Sequence, residues 1–112
     1  MSDAVRVLVL KTFERAAKKL FGAAEVEALS TYLAANPEAG AVIPGACGAR
    51  KARWRLAGRG KRGGARVVYY YNGRTALYLI VAYAKNERED LSPEGKARVA
   101  ELVDEIKRLE RS

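Results

Sequence analysis

The chain has no histidine among its 112 residues. That absence excludes a Ser-His-Asp triad, histidine-ligated zinc and imidazole proton shuttling in one step. Its one cysteine, Cys47, has no intrachain disulfide partner and no second cysteine to work with. An inert small residue in a reducing compartment is the expectation. No apolar run approaches the roughly 20 residues of a membrane-spanning helix. Met1-Ser2-Asp3 lacks the basic-then-apolar layout of a signal peptide, so the expected location is the cytoplasm, with no membrane partner. Acidic residues are missing from one long interior stretch, with none between Ala39 and Asn86.

What fills that stretch is positive charge. Arg50, Lys51, Arg53, Arg55, Arg59, Lys61, Arg62, Arg66, Arg74 and Lys85 all lie within it. The rest of the chain holds eleven basic residues and all thirteen acidic ones, so this block supplies more than the entire net charge of +8. Cations crowded together without a compensating acid repel one another, and a polyanionic partner explains their retention better than solubility does. A composition of 49% hydrophobic and 30% charged residues is that of one globular domain spanning 1–112.

Along the chain, Val5, Val7 and Val9 alternate as a short opening strand. Thr12 is placed to cap a helix over about Phe13 to Phe21, and a second helix is expected from Ala23 to Ala35, stopped by Asn36-Pro37. A turn-rich connector, Val42 to Gly48, leads to a strand over Ala49 to Ala57. There Lys51, Arg53 and Arg55 point one way and Ala52, Trp54 and Leu56 the other. The loop from Gly58 to Gly64 is cationic and holds four glycines. Ala65 to Tyr71 reads as a β-branched and aromatic strand, Asn72-Gly73 as a hairpin turn and Thr75 to Ala84 as the returning strand. Apolar residues on both faces of Leu77 to Ala82 put this last strand inside the sheet. Ser92-Pro93-Glu94 opens a helix reaching about Arg108. The fold class is therefore α+β, in the order βααβββα, a mainly antiparallel sheet with helices packed on one face and cations on the other.

Three segments carry a family resemblance: Arg50-Lys51-Ala52-Arg53-Trp54, Ala65-Arg66-Val67-Val68-Tyr69-Tyr70 and Tyr83-Ala84-Lys85-Asn86-Glu87. Their order and spacing resemble the RelE/ParE superfamily of toxins, and most of all the HigB-like branch of type II toxin–antitoxin systems. Val42-Ile43-Pro44-Gly45 and Gly58-Arg59-Gly60-Lys61 fit the same branch. The resemblance implies a RelE-like fold and a ribosome-dependent mRNA endoribonuclease that needs neither metal nor cofactor. It also implies silencing by a cognate helix-turn-helix antitoxin of the HigA-like kind. Matched segment by segment, it puts catalytic roles on Lys51, Arg53, Arg66 and Lys85. Better-known members carry an arginine directly after that lysine and a tyrosine near the start of the last helix; here those places hold Asn86 and about Ser92.

RNA cleavage through its own 2′-hydroxyl needs a base, an acid and cations that stabilise the phosphorane. Arg50, Arg55, Arg59, Lys61, Arg62, Tyr70 and Asn86 are expected to touch mRNA or ribosomal RNA, the loop cations because flexible positive segments suit irregular RNA surfaces. Trp54, on the opposite strand face from Lys51, belongs to the core. Two other readings stay open at this point. One is a ParE-like inhibitor of DNA gyrase on the same fold, and the other is a non-catalytic RNA- or ribosome-binding module.

Overall fold

The computed structural model describes residues 4–56, 64–88 and 90–112. The elements run β1 (Arg6–Val9), α1 (Lys11–Leu20), α2 (Ala23–Ala35), β2 (Ala41–Val42), β3 (Arg50–Trp54), β4 (Ala65–Tyr71), β5 (Ala76–Ala84) and α3 (Pro93–Arg111). They form a five-stranded sheet in the order β1-β5-β4-β3-β2, with β1 parallel to β5 and every other pair antiparallel. The α+β class and the mainly antiparallel sheet are as expected, with β5 in the interior. One strand is added: β2, a two-residue edge strand that ends on the first residue of the segment read as connector.

Helix placement departs from expectation. One face of the sheet presents Ala65, Val67 and Tyr69 of β4 and Leu77 and Leu79 of β5 to Phe13, Ala17 and Leu20 of α1 and to Leu29 and Leu33 of α2. The other face presents Val68, Ile80 and Tyr83 to Val99 and Val103 of α3. Helices therefore cover both faces. The cause lies in β4 and β5, whose apolar residues point both ways; a strand of that kind has to be covered twice. The amphipathic stripe of α3 supplies the second cover.

Two local details set the sheet's shape. Val68 pairs with Val81 while Tyr69 pairs with Leu79, so Ile80 is an extra residue bulged out of β5. The Thr12 hydroxyl donates to the Ile80 carbonyl, which ties α1 to the bulge. Thr12 thus lies inside the first turn of α1, and Leu10 occupies the N-cap position that Thr12 was expected to fill. On the opposite side, Gly40 packs so closely on β3 that a Cβ there would lie 2.8 Å from the Lys51 carbonyl carbon and oxygen. Its N–H donates to the Tyr69 hydroxyl at 2.9 Å, and that hydroxyl donates to the Pro37 carbonyl at 2.7 Å. This pair of bonds fixes the loop before β2 against the middle of the sheet.

The last helix starts as its sequence predicts: Ser92 is the N-cap, its Oγ accepts from the Gly95 N–H at 3.0 Å, and Pro93 opens the first turn. It runs to Arg111, three residues beyond the expected end. No helix among the described residues is long and apolar enough to cross a membrane.

Candidate functional site

Strand alternation and register assemble the site. On β3, Lys51 and Arg53 share the α3 side of the sheet, opposite Val68 and Arg66 of β4. Arg66 in turn lies opposite Tyr83 of β5. Arg53 and Arg66 are therefore direct cross-strand neighbours, two arginines on the same sheet face. Arg53 is exposed, whereas Arg66 is buried. The Lys85 N–H donates to the Gly64 carbonyl at 2.9 Å, which extends the β4–β5 ladder by one residue. Alternation then gives Lys85 the same side as Tyr83. The four residues matched by resemblance thus gather at one end of one sheet face, beside the start of α3.

That end also holds two residues outside the expected set of site residues, Asp90 and Tyr83. Asp90, in the segment between β5 and α3, forms an ion pair with Lys51. Its carboxyl is held below the ordinary carboxylate value, first by the hydrogen bond and charge of Lys51, with Lys96 and Arg66 adding to it. Tyr83 is only 6% exposed, and its hydroxyl has no hydrogen-bond partner among the described residues. Burial raises the Tyr83 pKa, while the charges of Lys51, Arg66 and Arg88 pull it down. The Arg88 guanidinium lies 5.8 Å from the centre of the Tyr83 ring. A cavity of about 300 Å³ opens here, with Lys51, Tyr83, Asp90 and Lys96 on its polar side and Val42, Ile43, Pro44 and Leu91 on its apolar side.

Other expected contacts lie elsewhere. Arg50 alternates with Lys51 and so occupies the opposite face, where its Nη1 donates to the Gly40 carbonyl at 2.8 Å and its guanidinium is 3.9 Å from Glu38. It braces the loop before β2, a consequence of the two-residue strand period that its adjacency to Lys51 already implied. Tyr70 is four residues along β4 from Arg66, roughly 13 Å at the usual strand rise. It stacks near Tyr78 with ring centres 6.2 Å apart, and Lys107 of α3 lies over its ring. Arg55 follows the end of β3 and Asn86 follows β5, both exposed. Arg59, Lys61 and Arg62 lie outside the described residues. Trp54 packs with the core under α1 and α2, its ring 5.9 Å from that of Tyr32.

Tyr83 could have been found from sequence, since it stands two residues before Lys85 on the same alternation. Asp90 could not: it meets Lys51 across 39 positions, and nothing local marks it. Among the described residues no three or more Asp, Glu or Cys side chains group as a metal site. The arrangement offers cations, a tyrosine hydroxyl and one displaceable carboxylate, which suits the binding and polarisation of a phosphodiester.

Comparison with known proteins adds two findings. A family model described as the RelE toxin of the RelE/RelB toxin–antitoxin system matches residues 5–112. The fold is similar to that of E. coli toxin RelE, solved in the free state as a mutant with two arginines changed to alanine. The TM-score is 0.53 at 20% sequence identity, over 77% of this chain and 88% of that one.

Proposed function

The chain belongs to the RelE toxin family, and from that premise we propose that it is a ribosome-dependent mRNA endoribonuclease that arrests translation. The observation that carries this reading is the pairing of Arg53 with Arg66 across β3 and β4, with Lys51 two residues away. Two arginines opposite each other on one sheet face, with a lysine on the same strand, bring to one place the positive charge that a bound phosphate requires.

In the proposed reaction the mRNA supplies its own nucleophile. The 2′-oxygen loses its proton and attacks the adjacent phosphorus, the bond to the 5′-oxygen breaks, and that oxygen takes up a proton. The products are a 2′,3′-cyclic phosphate and a 5′-hydroxyl, with no metal or cofactor needed for the balance. Arg66 and Arg53 bind the non-bridging oxygens as charge builds on the phosphorane, and Lys51 and Lys85 flank the same group. Arg55 and Asn86, which follow β3 and β5, are assigned to mRNA and ribosomal RNA, as are Arg59, Lys61 and Arg62 from their charge in the sequence.

Such a toxin requires a cognate antitoxin, and the HigB-like resemblance of its segments favours a small helix-turn-helix partner of the HigA-like kind. It acts in the cytoplasm, where translating ribosomes are. The test is induction in cells without antitoxin, followed by mapping of mRNA 5′ ends. New ends within translated frames, lost in Lys51→Ala, Arg66→Ala and Lys85→Ala variants that still fold, support the reading. Growth arrest with a DNA-damage response and no new ends would transfer the chain to gyrase inhibition. Harmless expression would leave an RNA-binding module.

A further inference from the structure

We propose that Asp90 occupies the place of the substrate phosphate in the free toxin, and that Tyr83 is the hydrogen-bond donor waiting for that phosphate. This rests on the endoribonuclease reading and names a binding residue and a regulatory contact within its site. Two observations point to the same spot. The Asp90 carboxylate is held by Lys51 and lies under the influence of Lys96 and Arg66, so an anion is already bound to a cation of this cavity. Beside it the Tyr83 hydroxyl is buried with no partner among the described residues. Buried hydroxyls are nearly always satisfied, so one left unpaired beside a cavity is a mark of function.

Geometry explains how the two act together. Tyr83, Lys51 and Asp90 line the same cavity as Lys96, and Asp90 belongs to the segment leading into α3. Asp90 itself is 71% exposed at its side chain. An ion pair so open to water is weak, so a phosphate on an mRNA held by the flanking cations can displace it. Withdrawal of Asp90 uncovers the Tyr83 hydroxyl, which then donates to a non-bridging oxygen. The neighbouring Lys51 and Arg66 neutralise the same group. The contact therefore acts as an internal competitor that keeps the site closed to isolated anions and yields to a substrate anchored along several phosphates.

The experiment uses the full chain and a single-stranded RNA carrying a 2′-deoxy substitution at the cleavage position, so that binding is read apart from chemistry. Anisotropy should show Asp90→Asn binding about three- to fivefold more tightly than wild type, the range set by a weak exposed pair. Glu101→Gln, which removes an equal charge on the outer face of α3, should leave affinity nearly unchanged. Tyr83→Phe should bind and, on mRNA-programmed ribosomes, cleave roughly 10- to 100-fold less well, with a melting temperature no lower than wild type. Asp90→Asn binding no tighter than wild type, or Tyr83→Phe with wild-type affinity, overturns the inference. If Asp90→Asn instead abolishes cleavage at unchanged affinity, Asp90 acts on the reaction and is not a competitor. The expected binding pattern without cleavage by the wild-type chain overturns the nuclease reading alone.

Discussion

Two tyrosines, Tyr69 and Tyr83, permit a matched test in which the same atom is removed from two buried places. Tyr69 is fully buried, and its hydroxyl both accepts from the Gly40 N–H at 2.9 Å and donates to the Pro37 carbonyl at 2.7 Å. Tyr69→Phe strands the Gly40 N–H in the interior, while the half-buried Pro37 carbonyl can turn to water. A buried unpaired group costs about 1–3 kcal/mol, and one lost neutral hydrogen bond about 1 kcal/mol more. The variant should lose about 2–4 kcal/mol, or roughly 8–16 °C in melting temperature for a domain of this size. Tyr83→Phe removes a hydroxyl that has no partner among the described residues, so its stability should be unchanged or up to about 1 kcal/mol higher. Urea unfolding followed by Trp54 fluorescence measures both. Function should invert the order, with Tyr69→Phe cleaving normally while folded and Tyr83→Phe impaired. Equal destabilisation of the two variants would refute the reasoning, because it would mean that the Tyr83 hydroxyl is as well bonded as that of Tyr69.

Three further outcomes follow from the same structure. Arg53→Ala should leave stability within about 0.5 kcal/mol of wild type, because Arg53 is exposed, while lowering cleavage by roughly 100-fold or more; chemical denaturation and single-turnover kinetics check the two halves. Gly64→Ala should cost at least about 2 kcal/mol, since Gly64 sits at φ +59° and a Cβ there would run into the Trp54 carbonyl oxygen. At high pH, Tyr78 decides a different slope. Burial first, then the hydrogen bond to Glu110, push its pKa up from 10.0 to about 12. The folded state therefore keeps a proton that the unfolded chain releases, and stability present below pH 10 falls as pH rises toward about 12. In Tyr78→Phe, stability measured across that interval should fall less steeply.

Backbone period explains why so much of the site could be read in advance. Alternate residues of a strand point to opposite faces whatever surrounds them. The grouping of Lys51 with Arg53, the opposing position of Trp54, and the exclusion of Arg50 from the cation face all follow from adjacency. The Asn72-Gly73 turn set the β4–β5 hairpin, and Ser92-Pro93 set the start of α3, because turn and cap chemistry act over a few residues. Thr12 misled for the same local reason: a hydroxyl near a helix start reads as a cap, and only the bulge at Ile80 gave it a better partner.

Composition, strand period and cap residues by themselves determined an α+β domain with its positive charge concentrated on one side of a β-strand. Those properties arise from neighbours in the chain, which no later packing can rearrange. Tertiary structure alone decided that α3 closes the second face, that Asp90 reaches Lys51 and that the Tyr83 hydroxyl is buried beside them. Each of these joins residues distant in sequence, and each is settled by which apolar surfaces must leave water and which charges meet when they do.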